Sequence, residues 1–94
     1  MIIRWLDDAV NDLRSLRSYI AQDNTAAAGK VVKKILCTID VLSEQPGMGR
    51  PGRVPNTREL IVYGTPYIAP YRVKKNAIEI LRVFHCVMQW PEDL

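Results

Sequence analysis

RELIVYGTPYIAPYRVKKNAIEILRVFH, residues 58–85, is where the chain stops reading as helix and starts reading as sheet. Three apolar, β-branched runs follow one another: Arg58–Tyr63, Tyr67–Val73 and Ile78–Phe84. Gly64-Thr65-Pro66 separates the first two and Lys74-Lys75-Asn76 the last two, the pattern of strands joined by turns. A two-residue turn at Lys75-Asn76 predicts a register: Val73 opposite Ile78, Arg72 opposite Glu79, Tyr71 opposite Ile80 and Ala69 opposite Arg82. The pair Arg72–Glu79 is a cross-strand ion match that favours it. Continued without interruption, this register puts His85, the single histidine, on the face of Leu81 and Val83. Arg82 and Phe84 then point the other way.

Outward from that sheet, the N-terminal half reads as helix. Leu6, Ala9, Val10, Leu13, Leu16 and Ile20 recur every three or four residues and line one face of a helix over Leu6–Ala21. Asp7, Asp8 and Asp12 crowd its N-terminal half, where the helix dipole favours negative charge. Asp23-Asn24-Thr25 breaks the pattern and offers N-cap residues for a second helix running to about Gln45. Its stripe is Ala28, Val31, Val32, Ile35, Leu36, Ile39 and Leu42. Two such helices joined by a tight turn form an αα-hairpin, and each must bury one face. Met1–Trp5 reads as a short strand along an edge of the later sheet. The expected fold class is therefore α+β, one domain over residues 1–94: an N-terminal strand and a helical hairpin packed on a small antiparallel sheet.

Between helix and sheet lies Pro46-Gly47-Met48-Gly49-Arg50-Pro51-Gly52-Arg53-Val54-Pro55, with three prolines and three glycines in ten residues. That composition predicts a loop. Arg50 and Arg53 stand on it, and guanidinium forks suit phosphate or carboxylate.

Charge is unevenly placed. Residues 1–47 carry six basic and six acidic side chains; residues 48–91 carry seven basic and two acidic. An excess of this kind suggests an anionic partner, either nucleic acid or an acidic protein segment, with a merely solvated surface as the alternative. Cys37, beside Leu36 and Ile39, reads as a buried structural thiol. With Cys86 and one histidine it makes no metal-ligand spacing, so no metal or cofactor is expected. Trp90 reads as a lid over the sheet. No signal peptide and no apolar run of about 18 residues is visible, which predicts a cytoplasmic protein without a membrane span.

Candidate chemistry is confined to His85 with Arg50, Arg53, Arg58, Arg72, Arg82 and the tyrosines Tyr63, Tyr67 and Tyr71. An imidazole among guanidinium groups is what RNA cleavage by 2′-hydroxyl attack uses: one group moves a proton near neutral pH, the others hold the phosphate. A lone histidine at a strand end is also a common structural residue.

In this order the pieces resemble the RelE/ParE superfamily of bacterial toxins. The motifs are Ser18-Tyr19-Ile20-Ala21 with Asp23-Asn24, PGMGRPG over residues 46–52, Thr57-Arg58-Glu59-Leu60, Tyr71-Arg72-Val73, and ILRVFH closing at His85 before Gln89-Trp90-Pro91. The resemblance implies the toxin of a type II toxin–antitoxin module that arrests growth. It also implies a hetero-oligomer with a cognate antitoxin, whose extended or helical segment lies in the toxin's groove. RelE-like members cut mRNA inside the ribosome; for that mechanism the resemblance points to His85, Arg82 and Arg58 as catalytic residues. ParE-like members bind DNA gyrase without acting as nucleases; target or anion contacts would then fall to Arg50, Arg53, Arg58, Arg72 and Tyr71. The long hairpin with Tyr19-Ile20 and the single basic residue in Arg58–Val62 favour the gyrase branch. An interaction domain without toxicity is the third reading.

Overall fold

The computed structural model describes residues 1–87. Trp90, expected as a lid, lies outside them. The elements in order are β1 (Ile2–Trp5), α1 (Asp7–Asp23), α2 (Thr25–Asp40) with a 3-10 turn at Val41–Ser43, β2 (Arg50–Pro51), β3 (Arg58–Ile61), β4 (Tyr67–Val73), β5 (Ala77–Ile80) and β6 (Phe84–His85).

The helical hairpin forms where the periodicity places it. Asn24 is the hinge. Its extended backbone cannot continue α1, and its N–H donates to Ile20 O, closing that helix. Its side chain then accepts from Ala27 N at 3.0 Å and starts α2. Capping of this kind contributes about 1 kcal/mol. The sheet runs β1-β5-β4-β3-β2, with β6 pairing β4 beyond the end of β5. The strands from β2 onward are antiparallel, but β1 pairs parallel with β5, Ile2 opposite Ala77 and Trp5 opposite Ile80, so the sheet is mixed. Even the Pro/Gly segment contributes a strand, the two residues of β2 on the outer edge of β3, where Pro51 costs no interior ladder bond.

Ala9 and Leu16 of α1 and Ile35 and Ile39 of α2 pack with Tyr71, Ile78 and Ile80 of the sheet into one apolar cluster. Cys37 stands outside it. Two residues on from Ile35 at about 100° per residue, it faces away from the core stripe. It is exposed rather than buried as a structural thiol. No helix among the described residues is long and apolar enough to cross a membrane.

The β4–β5 hairpin has the register expected from its turn: Tyr71 opposite Ile80, Arg72 opposite Glu79, Val73 opposite Ile78. Arg72 Nε donates to Glu79 Oε1 at 2.6 Å, and this bond holds the Glu79 carboxyl below its ordinary pKa. Beyond Ile80 the expectation fails. Leu81 N still donates to Pro70 O, but the pairs that follow are Ile68–Phe84 and Tyr67–His85. Ala69 therefore faces both Arg82 and Val83, not Arg82 alone. One extra residue on one strand is a β-bulge, and it exchanges the faces of everything after it. His85 comes to the face of Tyr67, Tyr71, Ile78 and Ile80, and Phe84 to the opposite one.

Candidate functional site

The two ends of β4 carry two different groupings. At the C-terminal end stands Tyr71, fully buried. Its hydroxyl donates to Pro46 O at 2.8 Å and accepts from Gly49 N at 2.8 Å. Burial pushes the phenol pKa up; the Gly49 N–H and the Arg58 guanidinium oppose that rise. Gly49 is required where it stands, since a Cβ there would sit 2.6 Å from Tyr71 Cε1. Arg58, opposite Tyr71 on β3, donates through Nη1 to Gly49 O at 2.7 Å and more weakly to Gly47 O at 3.4 Å.

Glu59 completes this grouping as a buried carboxylate, 3% exposed. Arg50 Nη2 and Nε reach its Oε1 at 2.9 and 3.2 Å, and Arg53 N reaches Oε2 at 3.0 Å. The Arg53 guanidinium approaches the same oxygen at 3.5 Å. Burial alone would raise the Glu59 pKa; the Arg53 N–H and the Arg50 guanidinium outweigh it, and the net direction is down. The loop arginines, read from sequence as suited to phosphate or carboxylate, are thus tethered on one side to the protein's own Glu59. Their side chains remain 53% exposed on the other. Glu59 itself was not singled out from the sequence. A lone acid amid Arg50, Arg53 and Arg58 was the available signal.

At the N-terminal end of β4 lies a cleft of about 450 Å³ between α1 and the sheet. Asp12, Ser15, Leu16 and Tyr19 of α1 form one wall, and Tyr67, Val83, His85 and Val87 the other. The α1 residues are three and four apart, so they make one stripe. Tyr67 meets the His85 ring edge-on, centroids 5.6 Å apart. His85 Nδ1 accepts from Val87 N at 3.3 Å. Burial pushes the Tyr67 phenol pKa up, and Tyr19 adds to the rise. Arg82 does not reach into this space as a free cation. It spans Asp12 with Nε on Oδ2 at 2.7 Å and Nη2 on Oδ1 at 3.0 Å, and lies 4.6 Å over the Phe84 ring.

Arg58 and His85 do not converge. They pair with Tyr71 and Tyr67 on opposite sides of β4. Four residues along a strand and two strand spacings across put their backbones about 16 Å apart. Tyr63, the remaining tyrosine of the sheet region, is exposed beside a second cleft of about 410 Å³ under α2.

Comparison with known proteins agrees with this architecture. Residues 3–90 match the family described as "ParE toxin of type II toxin-antitoxin system, parDE". "Putative toxin Y4kP" of Sinorhizobium fredii is 45% identical over 92 residues, covering 98% of this chain and 95% of that protein. "Toxin RelE2" of Caulobacter vibrioides is 33% identical over 81 residues, covering 86% of this chain and 90% of that one. A solved chain from "Chromosomal ParDE TA system from P. aeruginosa" superposes with a TM-score of 0.81 at 33% identity, covering 90% of this chain and 95% of its own. With the strand, helical hairpin and sheet in the same arrangement, the chain belongs to the ParE toxins of type II toxin–antitoxin systems, within the RelE/ParE superfamily.

Proposed function

We propose that this toxin arrests growth by binding and blocking DNA gyrase, and that its cognate antitoxin relieves the arrest. The observation that carries this reading is the separation of the groups a nuclease would need. Phosphate cleavage requires a proton-transfer group and cations converging on one phosphate. Here the Arg58 backbone lies about 16 Å from that of His85, and the Arg58 guanidinium is committed to loop carbonyls. Arg82 is bound by the Asp12 carboxylate, which would itself repel a phosphate entering the cleft. The cleft walls are largely apolar, with Leu16, Tyr19, Tyr67, Val83 and Val87. Such a surface fits a protein side chain better than a nucleotide. The half-exposed Arg50 and Arg53 supply a basic rim at the other end of the sheet. Charged rims of this kind act on encounter rate and orientation of an acidic partner.

One purified sample tested in two assays decides the matter. Supercoiling by gyrase is expected to be blocked, while transcripts stay intact with ribosomes present. Ribosome-dependent cleavage with supercoiling untouched would overturn the proposal. His85→Ala separates the mechanisms further. A binding inhibitor loses less than about 10-fold in potency; a nuclease relying on that proton transfer loses about 10²–10⁴-fold in rate. Expression without the antitoxin is expected to stop growth.

A further inference from the structure

The bulge at Arg82–Val83 has a counterpart seventy residues away. A bulge leaves one strand N–H without its ladder partner, and a buried N–H left unpaired costs about 1–3 kcal/mol. Asp12 Oδ2 takes that N–H, from Val83, at 2.9 Å. The same carboxylate holds the Arg82 guanidinium through both oxygens. Three charge-assisted bonds from one side chain therefore land on the two residues that make the bulge. Helix α1 delivers the carboxylate because Asp12 lies three residues from Ala9 and four from Leu16. Both of those are buried against the sheet.

The strand itself does not require the bulge. Had the β4–β5 register continued, Val83 would face Ile68 and Phe84 would face Tyr67, both sound apolar pairs. Phe84 would then occupy the cleft and His85 would leave it. We propose that Asp12 is a positioning residue that selects between these two registers, and that it puts an imidazole rather than a phenyl ring beside Tyr67. The selection of register stands whatever the target is; its bearing on toxicity rests on the gyrase reading above.

The test uses isotope-labelled full-length protein and cross-strand nuclear Overhauser contacts. Wild type shows Tyr67–His85. In Asp12→Ala this contact is expected to vanish and Tyr67–Phe84 to appear, with the Val83 amide still protected from hydrogen exchange, because the continued register returns its N–H to the ladder opposite Ile68. Persistence of Tyr67–His85 overturns the proposal. So does loss of both contacts, which would make Asp12 only a brace. Should Asp12→Ala fail to fold, Asp12→Asn is read on the same two contacts. It keeps one acceptor for Val83 N–H and gives up the charge, so a mixture of registers is expected and an unaltered Tyr67–His85 contact refutes the idea. Growth arrest is scored separately: a shifted register with undiminished arrest removes the cleft as the target surface and leaves the register assignment intact.

Discussion

Tyr71 and Tyr67 sit on the same strand and the same face, four residues apart, yet they serve opposite ends of the molecule. Tyr71 is sealed, and its hydroxyl is spent on two backbone groups of the Pro/Gly loop. Tyr67 is also buried, its ring in the same apolar cluster, but it lines the cleft wall, and among the described residues its hydroxyl makes no hydrogen bond. One end of the sheet is a clamp and the other is a surface. The lesson is that arginines beside a clamp are not thereby ligands. Arg58 is turned inward to hold Gly49, and Arg50 and Arg53 keep one side on Glu59.

The sharpest way to break this contrast is the pair of phenylalanine substitutions. Tyr71→Phe orphans the Gly49 N–H and the Pro46 carbonyl and is expected to cost about 1–3 kcal/mol. Each kcal/mol lowers Tm by about 4–8 °C for a chain of this size, which calorimetry would read. Equal losses for Tyr71→Phe and Tyr67→Phe would dissolve the distinction between clamp and surface.

Next in size is Glu59→Gln, expected to cost about 1–2 kcal/mol. The amide keeps one acceptor and gives up the charge that two half-exposed guanidiniums share. Denaturant midpoints of the two proteins at neutral pH measure it. The same variant sharpens the comparison through pH. Glu59 is held below its ordinary carboxyl pKa of 4.5 in the folded protein. Its contribution is therefore complete above the unfolded pKa and disappears as pH falls through the folded value. Glu79 shifts the same way, so acid still destabilises the variant. The gap between wild type and Glu59→Gln should narrow as pH drops from neutral to about 3, and a constant gap would deny Glu59 its ionic role.

Smallest is Tyr67→Phe, which keeps the buried ring and removes a hydroxyl that makes no hydrogen bond among the described residues, so stability should change by less than about 0.5 kcal/mol. Any effect should fall on growth arrest and target binding, measured by titrated induction in the absence of antitoxin.

Periodicity, caps and turn chemistry carried the helical hairpin and the β4–β5 hairpin into view without coordinates. Asn24 closes one helix and opens the next through atoms within four residues of itself. The Arg72–Glu79 match fixes its hairpin from seven residues' separation. The candidate site was legible only as a set of residue types. Cys37 was read as core because a stripe defined by neighbours in sequence does not report an angle around the helix closely enough.

What the sequence determined by itself is therefore local: helix, turn, strand and the register set by a two-residue turn. Interactions within a few residues decide those, and they are present before the chain is compact. The tertiary structure alone decided which arginines are tethered, which tyrosine is sealed, and which side of β6 faces the cleft. Each depends on a carboxylate or carbonyl brought from elsewhere in the chain: Glu59 to the loop arginines, Pro46 to Tyr71, and Asp12 to a strand seventy residues on. A strand with two acceptable registers carries no record of the choice; the helix packed against it makes it.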